Sequence, residues 1–445
     1  MNHTAIRLAL IGCFAPLTLV AHPVFADVTA DLKAEIEAQR AQLEAQRARL
    51  EALEKKLDAT AAAQQATAKQ AAESSAMPSL ATGGKGLTLS NTASSITLYG
   101  LIDGTISTID HANAKGERVT SYQTAWFSGD RWGITGKHNL SKDPGGLKAI
   151  FKLESEYELA TGNEDTPGVL FNRDAWIGFE SDALGKLTFG RQNALARDFA
   201  ANYLDPYGAA KTSTEEGGGT NVNNFKQLIF YAASATGTRY DRGVVWKKKF
   251  GDNFVMGLGY QFGGVAGDFS KGSTQSVALG YNSDPVNIAG YVNRLNVNGL
   301  THTAWSIGGN IPLGPVRLNA GYFNYQSEQG GGLGDRKDKA YTLSAKFVPG
   351  GPMDYELGYQ IIKAENAGLN GSGFILTPYA DASGIKAVGT GDKKTLYGSV
   401  FYHFDQQTEV YLAADYMKLT NGYKLSVTNG YSDQTEVGVG MRIRF

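Results

Sequence analysis

From residue 95 to the last residue, Phe445, apolar and polar side chains alternate with a period of two. The last such run is the clearest: Val437, Val439, Met441, Ile443 and Phe445 share one face, and Glu436, Gly438, Gly440, Arg442 and Arg444 share the other. Ile96, Leu98, Ile102 and Ile106 oppose Thr97, Asp103 and Thr105; Phe151, Leu153 and Tyr157 oppose Lys152, Glu154 and Glu156. Val316, Leu318, Ala320 and Tyr322 oppose Arg317 and Asn319, and Tyr341, Leu343, Ala345 and Phe347 oppose Thr342, Ser344 and Lys346. Successive side chains of a strand point to opposite faces, so each run predicts a strand with one oily and one wet side. Sixteen such strands are expected, starting near Ser95, Tyr122, Gly146, Phe171, Lys186, Arg239, Phe254, Thr274, Val286, Thr303, Val316, Ala340, Met353, Lys394, Thr408 and Gln434.

Alternation alone fits a soluble sandwich or a membrane barrel. A sandwich needs roughly seven to ten strands. The connections tip the balance. Short turns such as Asp143-Pro144-Gly145, Gly251-Asp252, Ser283-Asp284-Pro285 and Gly314-Pro315 interleave with longer loops rich in Gly, Asn and Asp. That asymmetry and an even strand count are the marks of an outer-membrane barrel. Hydrocarbon offers no partner to backbone N–H and C=O groups, so strands cross it only in a sheet that closes on itself. The expected fold class is therefore all-β, a 16-stranded antiparallel transmembrane β-barrel over 95–445, preceded by a short α-helical coiled coil.

Before the barrel the period changes. Residues 1–26 read as a secretory signal peptide: Arg7, an apolar run from Leu8 to Val20, and the small-residue site Val24-Phe25-Ala26. Leu10-Ile11-Gly12-Cys13 imitates a lipoprotein box, but the apolar run continues past it. From 27 to 60 the chain lacks Gly and Pro and is rich in Ala, Glu, Gln, Leu and Arg, which favours helix. Placing Ile36, Leu43, Leu50 and Leu57 at heptad position a puts Leu32, Gln39, Gln46 and Leu53 at d. Glu35 with Arg40 and Arg49 with Glu54 then stand at the g and e positions that pair neighbouring helices. This predicts a periplasmic coiled coil about 45 Å long, with a single solvated amphipathic helix as the alternative. Two consecutive Gln layers weaken the seam, so it needs another oligomerising part. Residues 61–94, with Met77-Pro78 and Gly83-Gly84, read as a flexible linker.

Composition narrows the function. The 445 residues hold 55 Gly, 22 Tyr, 20 Phe and one Cys, with 42 Lys and Arg against 43 Asp and Glu. No basic field is available to hold nucleic acid. Mean hydropathy of −0.25 and the lack of a long apolar run exclude a helical membrane protein. Cys13 lies in the expected leader, so the mature chain has no disulfide, thiolate metal site or Cys nucleophile. His111, His138, His302 and His403 are scattered, with no HExxH or GxSxG pattern, so no enzyme is expected. No metal ligand spacing or phosphate loop stands out, and no metal or cofactor is expected.

The stretches SSITLYGLIDGTI (94–106), DRWGITGKHNL (130–140), GGLKAIFKLESEYEL (145–159), FNRDAWIGFES (171–181), GKLTFGRQN (185–193) and TRYDRGVVW (238–246) resemble the Gram-negative general porins, especially the betaproteobacterial type. The resemblance implies a homotrimer of sixteen-stranded barrels in the outer membrane, in contact with its lipid and lipopolysaccharide. Each barrel has its third outer loop folded into the lumen, and small hydrophilic solutes diffuse through. Residues 192–238 supply that loop, far longer than a passive connection. They carry Asp198, Asp205, Glu215, Glu216 and the cluster Gly217 to Gly219. In the family the inserted loop sets carboxylates against a basic ladder on the opposite wall. With Trp126, Trp132 and Ile134 towards lipid, alternation turns Arg131 to the lumen; with Tyr240, Val244 and Trp246 outward, it turns Arg239 there too. Family matching adds Arg173 and Arg191, although strict parity groups Arg191 with Leu187 and Phe189, and Arg173 with Ile177 and Phe179. Either a bulge intervenes or those two sit beyond the hydrocarbon band. This chain departs from the family at Arg239-x-Asp241-Arg242-Gly243, commonly Arg-x-Asp-Asn-Ser, and at Asp205-Pro206-Tyr207, where enteric relatives have Pro-Glu-Phe. The expected function is an outer-membrane channel for passive diffusion. The alternatives are an outer-membrane anchor whose coiled coil tethers the membrane to the cell wall and its peptidoglycan, and a substrate-specific channel.

Overall fold

The structure is a computed structural model that describes residues 27–74, 79–83, 86–217, 233–375, 385 and 387–445. The expected signal peptide and residues 218–232 of the long loop lie outside the described residues. The chain divides into two units, one ending at Ala76 and one beginning at Met77.

The described residues of the first unit form one helix, α1 (Asp27–Ser74). With no Gly or Pro to interrupt it, the helix runs on past residue 60, so the first part of the expected linker is helical instead. Ile36, Leu43, Leu50, Leu53 and Leu57 lie exposed along it. Described residues further along the expected linker form strands. Strands β1 (Ser79–Gly83) and β2 (Gly86–Ser90) form a hairpin, and β2 pairs with the start of β3 (Ser94–Ile109).

The second unit is a closed antiparallel barrel. After β3 come β4 (Val119–Thr124), β5 (Arg131–Asn139), β6 (Lys148–Glu156), β7 (Asp174–Ser181), β8 (Gly185–Asn193) and β9 (Arg239–Phe250). Then follow β10 (Phe254–Gln261), β11 (Thr274–Asn282), β12 (Asn287–Val297), β13 (Leu300–Leu313), β14 (Val316–Ser327) and β15 (Arg336–Phe347). The last are β16 (Met353–Asn370), β17 (Gly373–Phe374), β18 (Ala387–His403), β19 (Thr408–Leu419) and β20 (Asp433–Arg444). β20 closes on β3, with Arg444 opposite Leu101 and Glu436 opposite Ile109. β4 and β5 share one edge of β3, so they are halves of a single stave interrupted at 125–130. β17 only extends the tip of β16. Leaving out the β1–β2 hairpin, this makes sixteen staves, the number the alternation predicts. One outer connection is shorter than the pattern suggests: Asn298-Gly299, both at positive φ, is a two-residue hairpin turn between β12 and β13.

The alternation inverts the layout of a soluble protein. Ile177, Leu343, Leu357 and Val439 face outward and exposed, while Thr188, Ser276, Ser344 and Gln360 are buried inside. No described helix is long and apolar enough to cross a membrane, which says nothing of a β-barrel.

Among the described residues, two segments that precede β9 enter the barrel. The break in the second stave turns inward at Ala125, which has φ +62°, and carries Trp126 and Phe127 into the interior. Trp126 therefore does not face lipid as strict parity predicts. It lies over Gly438, where an added Cβ would come 2.9 Å from the indole. The second intruder is the long loop after β8.

Candidate functional site

The loop leaves the wall at Ala194, whose N–H donates to Thr238 O (3.1 Å) and closes the neck. It starts with the short helix α2 (Leu195–Ala200), whose Leu195 and Phe199 are fully buried against the inner wall of β10–β13. Small wall residues make the seat. A Cβ on Gly308 would come 2.3 Å from the Tyr203 ring, so only glycine lets the loop lie this close. The Tyr203 hydroxyl meets Ser306 Oγ at 2.8 Å, and Asn310 Nδ2 donates to Asn202 O and Ala210 O, each at 2.7 Å. Further along, Arg317 Nη2 donates to Pro206 O (2.6 Å) and Gly208 O (3.0 Å). The tip is Tyr207. Its ring lies 4.4 Å from Phe127 and 5.9 Å from Phe401, and its hydroxyl lies 2.6 Å from Ser399 Oγ. The loop thus crosses the lumen and narrows it.

The four loop acids differ in role. Asp205 Oδ1 accepts from Tyr207 N and Gly208 N, both at 2.9 Å, and shapes the tip rather than lining a passage. Asp198 is buried and paired with Lys247, and its Oδ1 also accepts from Gly217 N (2.8 Å) and Asn193 Nδ2 (2.9 Å). Glu215 meets Lys186 at 3.0 Å. Glu216 lies 3.4 Å from Lys186 and 3.6 Å from Lys152. Burial alone would raise the Glu216 carboxyl, but Lys152, Lys186 and Lys247 outweigh it and hold it at about 2. The partners of three of these acids are therefore lysines of β6, β8 and β9. Alternation placed Lys152 on a wet face, but nothing in the sequence paired it with the loop.

The arginines fall into two groups. Arg173 turns inward, against strict parity, because it precedes β7 and its N–H donates to Glu154 O (3.2 Å). There its guanidinium pairs with both Glu154 and Glu156. Arg131 donates from Nε to Gly129 O (2.7 Å), and Arg239 is buried inside, with Nε and Nη2 lacking a hydrogen-bond partner among the described residues. Arg197 of α2, which the sequence reading overlooked, joins them close enough that these guanidiniums feel one another's charge. Among the described residues, no carboxylate lies within 4.0 Å of Arg131, Arg197 or Arg239. Arg191 is elsewhere: it keeps the parity of Leu187 and Phe189, donating to Asn172 O (2.6 Å) and pairing with Asp241. Opposite it a bulge at Asp241-Arg242, with Arg242 at φ +55°, shifts the register. The shift also brings Tyr240 inward, not outward as alternation predicted, where its hydroxyl donates to Ser276 Oγ (2.7 Å).

Below the tip, a polar cavity of about 410 Å³ is lined by Lys346, Asp354, Glu356, His403, Glu409 and Arg442, among others. Its charges are interlocked: His403 bridges Asp354 (3.1 Å) and Glu409 (2.9 Å), and Lys346 bridges Asp354 and Glu356, both at 3.2 Å. Among the described residues no group of three His, Cys, Asp or Glu side chains is set to hold a metal ion.

A closed barrel with a wet interior and an inserted loop is the architecture of a diffusion pore, and comparison with known proteins decides the family. A family profile described as Gram-negative porin matches residues 59–422, most of the chain. The chain belongs to that family. As an outer-membrane porin it forms a water-filled channel through which small hydrophilic solutes and ions diffuse passively. The porin is 28% identical over 410 residues to an outer membrane porin protein of Bordetella pertussis, covering 79% of this chain and 94% of that one. Among solved structures it is similar to an anion-selective porin from Comamonas acidovorans (TM-score 0.59, 20% identity), covering 79% of this chain and 100% of that one. It is also similar to the trimer form of OmpT from Vibrio cholerae (TM-score 0.54, 15% identity), with coverage of 79% and 100%. These likenesses support the fold. The members of the family are channels, not enzymes.

Proposed function

We propose that the porin is a homotrimeric channel that prefers anions, filtering them at the loop-narrowed waist through Arg131, Arg197 and Arg239. One observation carries the reading: Asp198, Glu215 and Glu216 are each matched to a lysine, whereas these three arginines have no matching carboxylate among the described residues. Buried charge without a close partner is costly, so a cluster of guanidiniums beside a narrow passage favours an anion that enters next to it. Arg173, held by two carboxylates, supports the cluster's position, and Arg191 belongs to the rim with Asp241. The anion-selective relative and the trimeric relative agree with this reading. It is tested by the reversal potential of the purified porin in a planar bilayer under a salt gradient. The native channel should favour chloride over potassium, and Arg131→Ala with Arg239→Ala should reduce that preference. An unchanged reversal potential in the double variant would place the filter elsewhere.

A further inference from the structure

α1 presents an apolar stripe, interrupted by two glutamines, that no other described residue covers. Ile36, Leu43, Leu50, Leu53 and Leu57 are between 45% and 73% exposed, although leucine and isoleucine are rarely left that open in a row. The stripe follows a seven-residue repeat, the period that winds helices around one another rather than against a globular core. We propose that α1 of each protomer joins those of its two neighbours in a parallel three-stranded coiled coil with its seam over Leu32 to Leu57. This rests on the homotrimer reading above.

Three features favour further copies of this chain as the occupant. First, charge is self-complementary: with helices parallel and in register, Glu35 of one copy faces Arg40 of the next, and Arg49 faces Glu54. A foreign partner would have to supply the same alternation. Second, every protomer of a porin trimer has its barrel in the same direction, and the chain enters each barrel at β3 from the side of the short turns. The three chains therefore reach the membrane from one side, which permits the parallel arrangement that the charge pattern requires. Third, the seam stops in sequence before the helix does: beyond Leu57 the core positions are Thr60, Gln64, Thr67, Ala71 and Ser74. Residues 58–74 then continue the helix without an apolar repeat in the sequence. The d positions Gln39 and Gln46 place two polar layers near the middle, which lower stability but penalise a slipped register. Such a seam is weak alone and is completed by the barrels' own association.

The mature chain has no cysteine, so introduced thiols report cleanly. The full-length porin carrying Leu50→Cys at an a position, and separately Ala52→Cys on the outer face, is treated with a three-armed maleimide. Leu50→Cys should give a covalent trimer band, and Ala52→Cys should give none above background. Gln46→Cys leaves every apolar layer intact, so it keeps the test valid if Leu50→Cys loosens the seam. Equal cross-linking at positions 46, 50 and 52, or none at 46 and 50, overturns the proposal. So does a porin that sediments with purified peptidoglycan while these thiols stay uncoupled. The same preparations are recorded in bilayers. Conductance steps in threes without a covalent trimer sink the coiled coil alone, whereas single steps sink the trimer reading with it.

Discussion

The tip of the inserted loop is held by Tyr207, and removing that side chain should open the channel without unfolding the barrel. Tyr207 contacts Phe127 at 4.4 Å and Phe401 at 5.9 Å between ring centres, and its hydroxyl is 2.6 Å from Ser399 Oγ. Two aromatic pairs contribute roughly 1–3 kcal/mol beyond area burial, and a neutral hydrogen bond about 1 kcal/mol. With the buried ring area included, truncation to alanine in a packed site costs about 3–5 kcal/mol. At about 1.4 kcal/mol per tenfold, the undocked tip becomes some two to three orders of magnitude more populated. The Arg317 contacts to Pro206 O and Gly208 O remain, so the tip loosens rather than leaves. Tyr207→Ala should raise single-channel conductance and current noise in planar bilayers and admit larger sugars in liposome swelling. The gel mobility of the folded barrel should not change. Tyr207→Phe, which keeps both ring contacts and loses only the hydroxyl, should lie close to the native channel. If Tyr207→Ala leaves conductance and exclusion limit at native values, the tip does not set the waist.

Other perturbations probe the remaining anchors. Lys247→Ala strands the buried Asp198 carboxylate and should cost about 3–5 kcal/mol; adding Asp198→Asn, whose amide oxygen still accepts from Gly217 N and Asn193 Nδ2, should restore most of it, read as the thermal midpoint of the folded band. Glu216 is ionised more readily in the docked loop, about 2 against an ordinary 4.5, so its support is complete above about 4.5 and is lost as pH falls towards about 2. Current noise should therefore be flat from neutral pH to about 4.5 and rise below it, and Glu216→Gln should be noisy throughout. Gly440→Val pushes a side chain to where a Cβ already comes 2.3 Å from the Tyr411 ring, whose hydroxyl is 2.5 Å from Asp103 Oδ1. Overpacking of this kind costs about 1–3 kcal/mol and should lower the folded band's thermal midpoint; an unchanged midpoint would mean the Tyr411 seat is not tight.

The staves were legible in the sequence because a barrel imposes one rule on every residue: odd positions meet one solvent and even positions the other. The rule fails only where the backbone leaves the ladder. Trp126 sits in the break between β4 and β5 and turns in; Tyr240 sits beside the bulge at Asp241-Arg242 and turns in as well. Arg173 escapes its parity because it precedes the strand, and Arg191 keeps its parity and so misses the lumen. These exceptions have no apolar-polar signature, since each exchanges one large amphipathic side chain for another. The helix beyond residue 60 and the β1–β2 hairpin were hidden for a different reason. Alanine, glutamine and threonine over 59–74 show no seam, and the hairpin gains its stability from the free edge of β3 rather than from its own pattern.

The expected opposition of an acidic loop to a basic wall changes character once partners are assigned. The loop acids are consumed locally: Asp198 by Lys247, Glu215 and Glu216 by Lys186, and Glu216 also by Lys152. These pairs fix the loop's neck to β6, β8 and β9 and contribute little net field to the passage, because close opposite charges cancel at a distance. Asp205 is turned to backbone N–H groups of its own loop. The arginines face the opposite situation. Glu154 and Glu156 pair directly with Arg173, and among the described residues no carboxylate lies within 4.0 Å of Arg131, Arg197 or Arg239. Three lysines hold the loop's neck while three arginines lack a close carboxylate among the described residues, and the anion preference proposed above rests on this division rather than on a balanced transverse field.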